Sequence, residues 1–93
     1  MKDKSQYESL GASFMVRGTA NPPPTATWTL DGNVIKSNQN VIISQVGEEF
    51  KLDIKKLRQE DAGVYECKLT NPVGSAEQQA KLDVIGKNYH VMT

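Results

Sequence analysis

The chain has 93 residues, of which 38% are hydrophobic, and its 11 Lys and Arg residues balance 11 Asp and Glu residues. A chain of this length fits one small domain, and its ordinary apolar content argues against wholesale disorder. Zero net charge argues against a broad basic face for nucleic acid or anionic lipid, and no run reaches the roughly 18 apolar residues of a membrane span. Composition therefore predicts one soluble domain that binds neither nucleic acid nor membrane.

Five segments place apolar side chains at every second position. They cover residues 14–18, 25–30, 50–55, 65–69 and 80–84. A period of two buries one face of a strand and leaves the other in water, which is typical of antiparallel sheets. No segment carries the apolar stripe of a helix. The pattern predicts an all-β fold.

Turn-forming residues separate these segments. Asp31-Gly32 favours a tight turn because glycine tolerates positive φ, and residues 21–24, with three prolines in a row, predict a stiff loop. Further turns are predicted at 46–49 and 71–74, and one short helical turn is predicted at 57–63. Short strands at intervals of about 8–12 residues indicate a sandwich or a barrel.

Cys67 is the single cysteine, so no disulfide can form within the chain. The sequence also lacks an Asn-x-Ser/Thr acceptor, and its first residues lack the apolar stretch of a secretory signal. The missing disulfide and the missing acceptor together favour a reducing compartment inside the cell. A nucleophilic role would need a nearby histidine, and the single one, His90, lies in the C-terminal tail. We therefore expect Cys67 to be a buried, inert thiol.

No residue set in the sequence supports catalysis or metal binding. The carboxylate pairs Glu48-Glu49 and Glu60-Asp61 are adjacent in sequence, so their side chains point apart on wet surfaces. One histidine and one cysteine do not make a zinc site. The sequence predicts no catalytic residue, no metal and no cofactor, and hence no enzyme.

One set of residues has a spacing that is specific to a known structural motif. Trp28 lies on a predicted strand, Asp61-Ala62-Gly63 precedes another, and Tyr65 stands two residues before Cys67. A tyrosine at that offset fits a tyrosine corner, with the indole packed near the thiol. This pattern resembles the immunoglobulin superfamily and within it the intermediate, or I-set, type. It looks most like the modules of giant intracellular muscle proteins, the titin, twitchin, projectin and obscurin group.

The resemblance implies an immunoglobulin-like β-sandwich of two antiparallel sheets over residues 1–85, with residues 86–93 as a C-terminal tail or linker. Val16 stands at the position of the family's first core cysteine, so Val16 and Cys67 are expected to face each other without a bridge. The structural core that the resemblance implies consists of Phe14, Val16, Trp28, Leu52, Ile54, Leu57, Asp61, Tyr65 and Cys67.

Three features depart from the family pattern. Ser9 and Ala20 stand where glycine is common. Residues 1–7 alternate poorly, so the first strand is either truncated or pairs differently at the sheet edge. An open edge invites an added strand, and we expect this edge or the tail to contact a neighbouring module or a sarcomeric ligand.

The resemblance also implies a function. It is that of a non-enzymatic structural and protein-binding module, an elastic spacer and docking unit in a tandem array of a large cytoplasmic protein of the sarcomere or cytoskeleton. Implied partners are neighbouring immunoglobulin or fibronectin-type domains and other sarcomeric or cytoskeletal proteins. Two alternatives stay open: an extracellular adhesion or receptor domain, and a module that flanks and regulates a giant-protein kinase domain.

Overall fold

A computed structural model describes residues 1–86 of the chain. These residues form eight strands and one 3-10 turn. In chain order they are β1 (Lys4–Tyr7), β2 (Ala12–Arg17), β3 (Thr25–Leu30), β4 (Asn33–Val34), β5 (Val41–Val46), β6 (Glu49–Ile54), the 3-10 turn (Gln59–Asp61), β7 (Gly63–Asn71) and β8 (Gly74–Ile85). The tail or linker predicted at residues 86–93 lies, apart from Gly86, outside the described residues.

The strands form two sheets. One has the strand order β1-β8-β7-β3-β4 and the other the order β2-β6-β5. All pairs are antiparallel except β1 and β8, which run parallel with Lys4 opposite Leu82 and Tyr7 opposite Ile85. The predicted β-sandwich is confirmed, and the expectation of wholly antiparallel sheets is wrong at this one edge. The poorly alternating start of the chain supplies a strand of four residues there.

The core lies between the two sheets. Trp28 on β3 is 1% exposed and lies opposite Cys67 on β7. Of the nine residues expected in the core, all but Asp61 are buried. Asp61 is only partly buried, because its carboxylate stays near water and accepts a hydrogen bond from the backbone N–H of Arg58 (2.8 Å). The structure adds four buried residues that the sequence analysis left out: Phe50, Leu69, Ala80 and Leu82.

The strands that the sequence pattern missed have side chains that do not alternate cleanly. In β5, Val41 and Ile43 pack against the core, whereas Ile42 and Val46 are 40% and 69% exposed. Apolar residues on both faces hide the period of two. The last strand begins at Gly74 rather than near residue 80. The sequence pattern missed its first residues because residues 74–79 are small or polar and carry no alternation.

The predicted turns are confirmed. Asp31 and Gly32 both have positive φ (49° and 86°) between β3 and β4, and the 3-10 turn lies within the segment 57–63. The side chain of Asn71 stabilises the turn between β7 and β8, since its Oδ1 accepts two backbone N–H groups of that turn (both 3.0 Å). Its Nδ2 donates to the carbonyl oxygen of Pro22 (3.0 Å), which ties the proline loop to the same end of the sandwich.

Ser9 adopts a left-handed conformation (φ 73°) between β1 and β2. This φ strains a residue with a Cβ atom but not a glycine. Ser9→Gly is therefore expected to raise the free energy of unfolding by about 0.5–1 kcal/mol, as measured by urea denaturation. Ser13→Gly, at an exposed position in β2, is the matched control and is expected to lower stability. Equal effects of the two changes would contradict strain at Ser9.

Candidate functional site

Tyr65 fixes the 3-10 turn to the core. Its hydroxyl donates a hydrogen bond to the carbonyl oxygen of Asp61 (2.6 Å), and its ring stacks on Phe14 with ring centroids 5.0 Å apart. Burial, with smaller contributions from the charges of Asp61 and Asp31, raises the pKa of the Tyr65 phenol, which therefore stays a donor at neutral pH. This is the geometry of a tyrosine corner, to which Asp61 contributes its backbone rather than a buried side chain.

Asp31 connects the β3–β4 turn to the start of β7. Its Oδ1 accepts the N–H of Val64 (2.8 Å), and its own N–H donates to the carbonyl oxygen of Val64 (2.9 Å). A Cβ atom at Gly63 (φ 147°) would lie 2.4 Å from Oδ2 of Asp31, so any other residue there would be strained and would displace the carboxylate. Sequence analysis identified Asp31 as a turn residue but missed this contact, because the partners lie 33 residues apart.

Cys67 is a free thiol inside the core. Burial raises its pKa to about 11, with a smaller contribution from the charge of Glu66. At neutral pH it is a protonated, buried thiol, which is a poor nucleophile. Val16 belongs to the same buried cluster, so the position that could carry a bridging cysteine holds an apolar side chain instead.

Two of the four carboxylates that sequence analysis set aside, those of Glu49 and Glu60, form ion pairs at the surface. The hydrogen bond from Arg17 to Glu49 (2.8 Å) lowers the pKa of the Glu49 carboxyl and raises that of the guanidinium. Glu60 lies 3.2 Å from Arg58. Within residues 1–86, no group of three or more His, Cys, Asp or Glu side chains could hold a metal ion. The same stretch contains no helix long and apolar enough to span a membrane.

β2 is an edge strand of the three-stranded sheet, because among residues 1–86 it pairs with β6 alone. Gly18 donates its N–H to the carbonyl oxygen of Glu48 (3.0 Å), in continuation of the β2–β6 register. Hydrogen bonding alternates along an antiparallel pair. The backbone N–H and C=O groups of Met15 and Arg17 therefore point away from β6, toward the open edge.

β1 bridges the two sheets at one end of this edge. It pairs with residues 82–85 of β8. From there the ammonium of Lys4 donates to the carbonyl oxygen of Ser13 on β2 and lies 4.6 Å from the centre of the Phe14 ring. The edge that sequence analysis expects to be open is thus covered along β1, and the opening lies farther along β8.

The opening is a groove of about 410 Å³, hereafter the β2–β8 groove. Its walls are the end of β2 with the residues that follow it (16–21) and the start of β8 (74–78). Its floor consists of the buried residues Val16, Cys67 and Leu69. Sequence analysis missed the groove because residues 74–79 show no apolar pattern that would place them on a strand. The one signal of the groove in the sequence was this lack of an apolar pattern.

Comparison with known sequences places these features in a family. The chain matches the family model of the immunoglobulin I-set domain over residues 2–84. It is 41% identical over 66 residues to smooth-muscle myosin light chain kinase of Gallus gallus and 37% identical over 87 residues to the muscle M-line assembly protein unc-89 of Caenorhabditis elegans. These matches cover 71% and 94% of this chain but only 4% and 1% of the two relatives, so the chain spans a small part of either protein.

Solved structures share the fold. Titin domain M7 superposes with a TM-score of 0.88 at 33% identity, over 91% of this chain and 87% of that one. The titin domains z1z2, solved in complex with telethonin, match with a TM-score of 0.87 at 30% identity, over 92% of this chain and 45% of that one. The two-sheet sandwich, its tyrosine corner and these matches together show that the chain belongs to the immunoglobulin I-set family and is similar to the I-set domains of giant muscle proteins.

Proposed function

We propose that this domain is an elastic spacer and a docking unit in a tandem array of a larger sarcomeric or cytoskeletal protein of the cytoplasm, without catalytic activity of its own. The observation that carries the proposal is a packed two-sheet core whose one cysteine is free and buried. Since no covalent link joins the sheets, load can extend the whole fold, and relaxation can restore it from the same noncovalent contacts.

The relatives support a muscle context. One is a muscle M-line assembly protein, and the similar solved domains come from titin. Because the chain spans a small part of each relative, we extend the role of the whole relative to this chain as a proposal. In such a protein the flanking partners would be further immunoglobulin or fibronectin-type domains of the same polypeptide.

Docking is the second part of the proposal. Titin domains z1z2 form a complex with telethonin, so I-set domains similar to this one do bind other proteins. Within residues 1–86, the edge strands β4 and β5 offer backbone groups to such a partner.

A regulatory role beside a kinase domain is a second candidate, which the 41% identity to part of myosin light chain kinase favours. The parent sequence around this chain separates the two roles. A kinase domain next to residues 1–93 would favour regulation, whereas repeated modules of this pattern would favour the spacer. An extracellular role fits less well, since small secreted domains usually rely on disulfides and Cys67 is free.

Stretching single molecules of the full chain tests the spacer role. We expect resistance to load, then cooperative unfolding with an extension of up to roughly 300 Å at about 3.3 Å per residue. We further expect refolding over repeated cycles of relaxation. Extension without measurable resistance, or failure to refold, would contradict the spacer role.

Val16→Cys tests the part played by the missing bridge. Oxidation is expected to link position 16 to Cys67. The roughly 50 residues between them then cannot extend, which shortens the total extension by about 170 Å. Met15→Cys is the matched control, because Met15 is the adjacent residue and is 43% exposed on the opposite face of β2. Unchanged extension of oxidised Val16→Cys would show that positions 16 and 67 do not face each other.

A further inference from the structure

β4 and β5 are sheet-edge strands that lie in the middle of the chain. β4 ends the five-stranded sheet, β5 ends the three-stranded sheet, and residues 35–40 run from one edge to the other. An open edge is a template for an added strand. The hydrogen bonds that each edge already makes therefore decide where a partner strand can add.

The β5 edge is largely closed by the segment that leads into it. The side chain of Asn38 accepts the N–H of Val41 (2.9 Å), and the N–H of Asn38 donates to the carbonyl oxygen of Val41 (2.8 Å). The hydroxyl of Ser37 accepts the N–H of Ile43 (3.0 Å). A strand that added over this part of β5 would have to displace both polar side chains, which disfavours it.

The β4 edge is open. The N–H of Ile35 donates to the carbonyl oxygen of Trp28 on β3 (2.9 Å), and hydrogen bonding alternates along an antiparallel pair. The N–H and C=O groups of Val34, the residue before Ile35, therefore point away from β3. Within residues 1–86 no other strand lies beside them. Both groups are available to a partner.

Two exposed side chains accompany these backbone groups. Ile35 packs against the core, so its neighbours Val34 and Lys36 point to the outer face of the sheet. Val34 is 63% exposed. Lys36 is also exposed and takes part in none of the ion pairs of residues 1–86. An apolar side chain and an unpaired positive charge thus lie two positions apart along the edge.

The β3–β4 hairpin holds this edge in a fixed position. Asp31, in its turn, accepts the N–H of Val64 through Oδ1 (2.8 Å) and donates its own N–H to the carbonyl oxygen of Val64 (2.9 Å). Ile35 anchors the other end in the core. A preorganised edge loses little conformational entropy when a partner binds, so a short pairing can still be stable enough to measure.

We propose that the β4 edge binds one extended segment of a partner protein, which pairs antiparallel with residues 33–36 and carries an acidic side chain two residues before a β-branched apolar one. The apolar residue exchanges two backbone hydrogen bonds with Val34 and packs beside its side chain. The acidic side chain then lies beside Lys36, since alternate residues share a face. This inference deepens the proposed docking role and rests on it.

An acidic segment fits this edge better than a second copy of the chain does. Two copies paired antiparallel about Val34 would place Lys36 of each copy opposite Gly32 of the other. Glycine has no carboxylate, and the adjacent Asp31 already binds Val64. A partner segment supplies the apolar side chain and the negative charge together.

Peptide binding to the isotope-labelled chain tests the proposal. The probe is acetyl-Ser-Glu-Thr-Val-Thr-Ser-amide, and its control carries N-methylvaline for valine, which removes the N–H meant for the carbonyl oxygen of Val34. At peptide concentrations up to about 5 mM we expect saturable shifts of the amide signals of Asn33, Val34 and Lys36, with a Kd of about 1 mM or below. Amide exchange at Val34 is expected to slow about fivefold. The N-methylated peptide should cause neither change.

Charge reversal locates the acidic residue of the bound segment. Lys36→Glu is expected to weaken binding of the probe about threefold or more, and a probe with lysine in place of glutamate should bind this variant better than the parent chain. Lys55→Glu is the matched control, because Lys55 is an exposed lysine that follows β6 in the other sheet. This control should bind the probe as the parent chain does. Because both positions are exposed, thermal melting should show both variants folded.

Four results would overturn the proposal. They are the lack of saturable binding, equal binding of the N-methylated peptide, equal binding by Lys36→Glu and Lys55→Glu, and shifts that depend on chain concentration without peptide, which would assign the edge to a second copy. Saturable shifts centred on Gln45 instead would place docking on the β5 edge, so they would overturn this inference and keep the docking role. Every one of these results leaves the spacer role standing, since the stretching experiment tests that role without any partner.

Discussion

Trp28→Ala is expected to lower the free energy of unfolding by about 3–5 kcal/mol. The indole is 1% exposed and lies between the sheets opposite Cys67, so truncation leaves a cavity in the centre of the core. Its Nε1 has no hydrogen-bond partner among the described residues, so the loss comes from packing rather than from a broken hydrogen bond. A small domain has about 5–15 kcal/mol of stability in total, so this one change removes a large part of it.

Urea denaturation followed by far-UV circular dichroism measures this effect, because Trp28 is the single tryptophan and its fluorescence is lost in the variant. Thr27→Ala is the matched control, since Thr27 is the adjacent residue of β3 and is exposed. We expect the control to change stability by about 0.5 kcal/mol or less. Similar losses in the two variants would contradict the central position of the indole.

Gly63→Ala is expected to lower the free energy of unfolding by about 2–4 kcal/mol. Gly63 has a φ of 147°, which strains any residue with a Cβ atom, and that atom would lie 2.4 Å from the Asp31 carboxylate. To avoid the collision, Asp31 would have to release the N–H of Val64, which it now binds at 2.8 Å. The variant therefore combines backbone strain with a lost hydrogen bond at the start of β7.

Urea denaturation of a double-mutant cycle separates the two causes. Asp31→Ala removes the carboxylate, so Gly63→Ala should cost about 1 kcal/mol less in that background than in the parent chain. Gly47→Ala is the control for strain alone, since Gly47 also has positive φ (59°) but a Cβ atom there would meet nothing within 4 Å. If Gly63→Ala costs no more than Gly47→Ala, the contact with Asp31 is not the cause.

The sequence alone was sufficient to predict the strands that bury one face. Trp28, Leu52 and Tyr65 stand in runs of period two, and that period follows directly from burial on one side. It was insufficient to predict β5, because apolar Ile42 and Val46 lie on the exposed face of that strand. It was also insufficient to predict β1, because the partner strand β8 lies far along the chain. Period alone does not encode which strands become neighbours.

The candidate site was harder to predict than the fold. The tyrosine corner depends on residues four apart, so Tyr65 and Asp61 were accessible to a local pattern. The β2–β8 groove depends on the second sheet ending before it covers Ala76, and the contact of Gly63 with Asp31 joins distant turns. Both features arise from tertiary packing. Their only signals in the sequence are a glycine for the contact and a stretch without alternation for the groove.

Titration of Cys67 with a thiol reagent at pH 8, before and after unfolding, tests most directly the claim that two sheets close over Trp28 without a covalent link. The thiol is 0% exposed, and burial raises its pKa to about 11, so we expect no reaction in the native chain. In denaturant without reductant we expect one reactive thiol per chain. A native thiol that reacts as fast as the unfolded one, or an unfolded chain with no reactive thiol, would contradict this account.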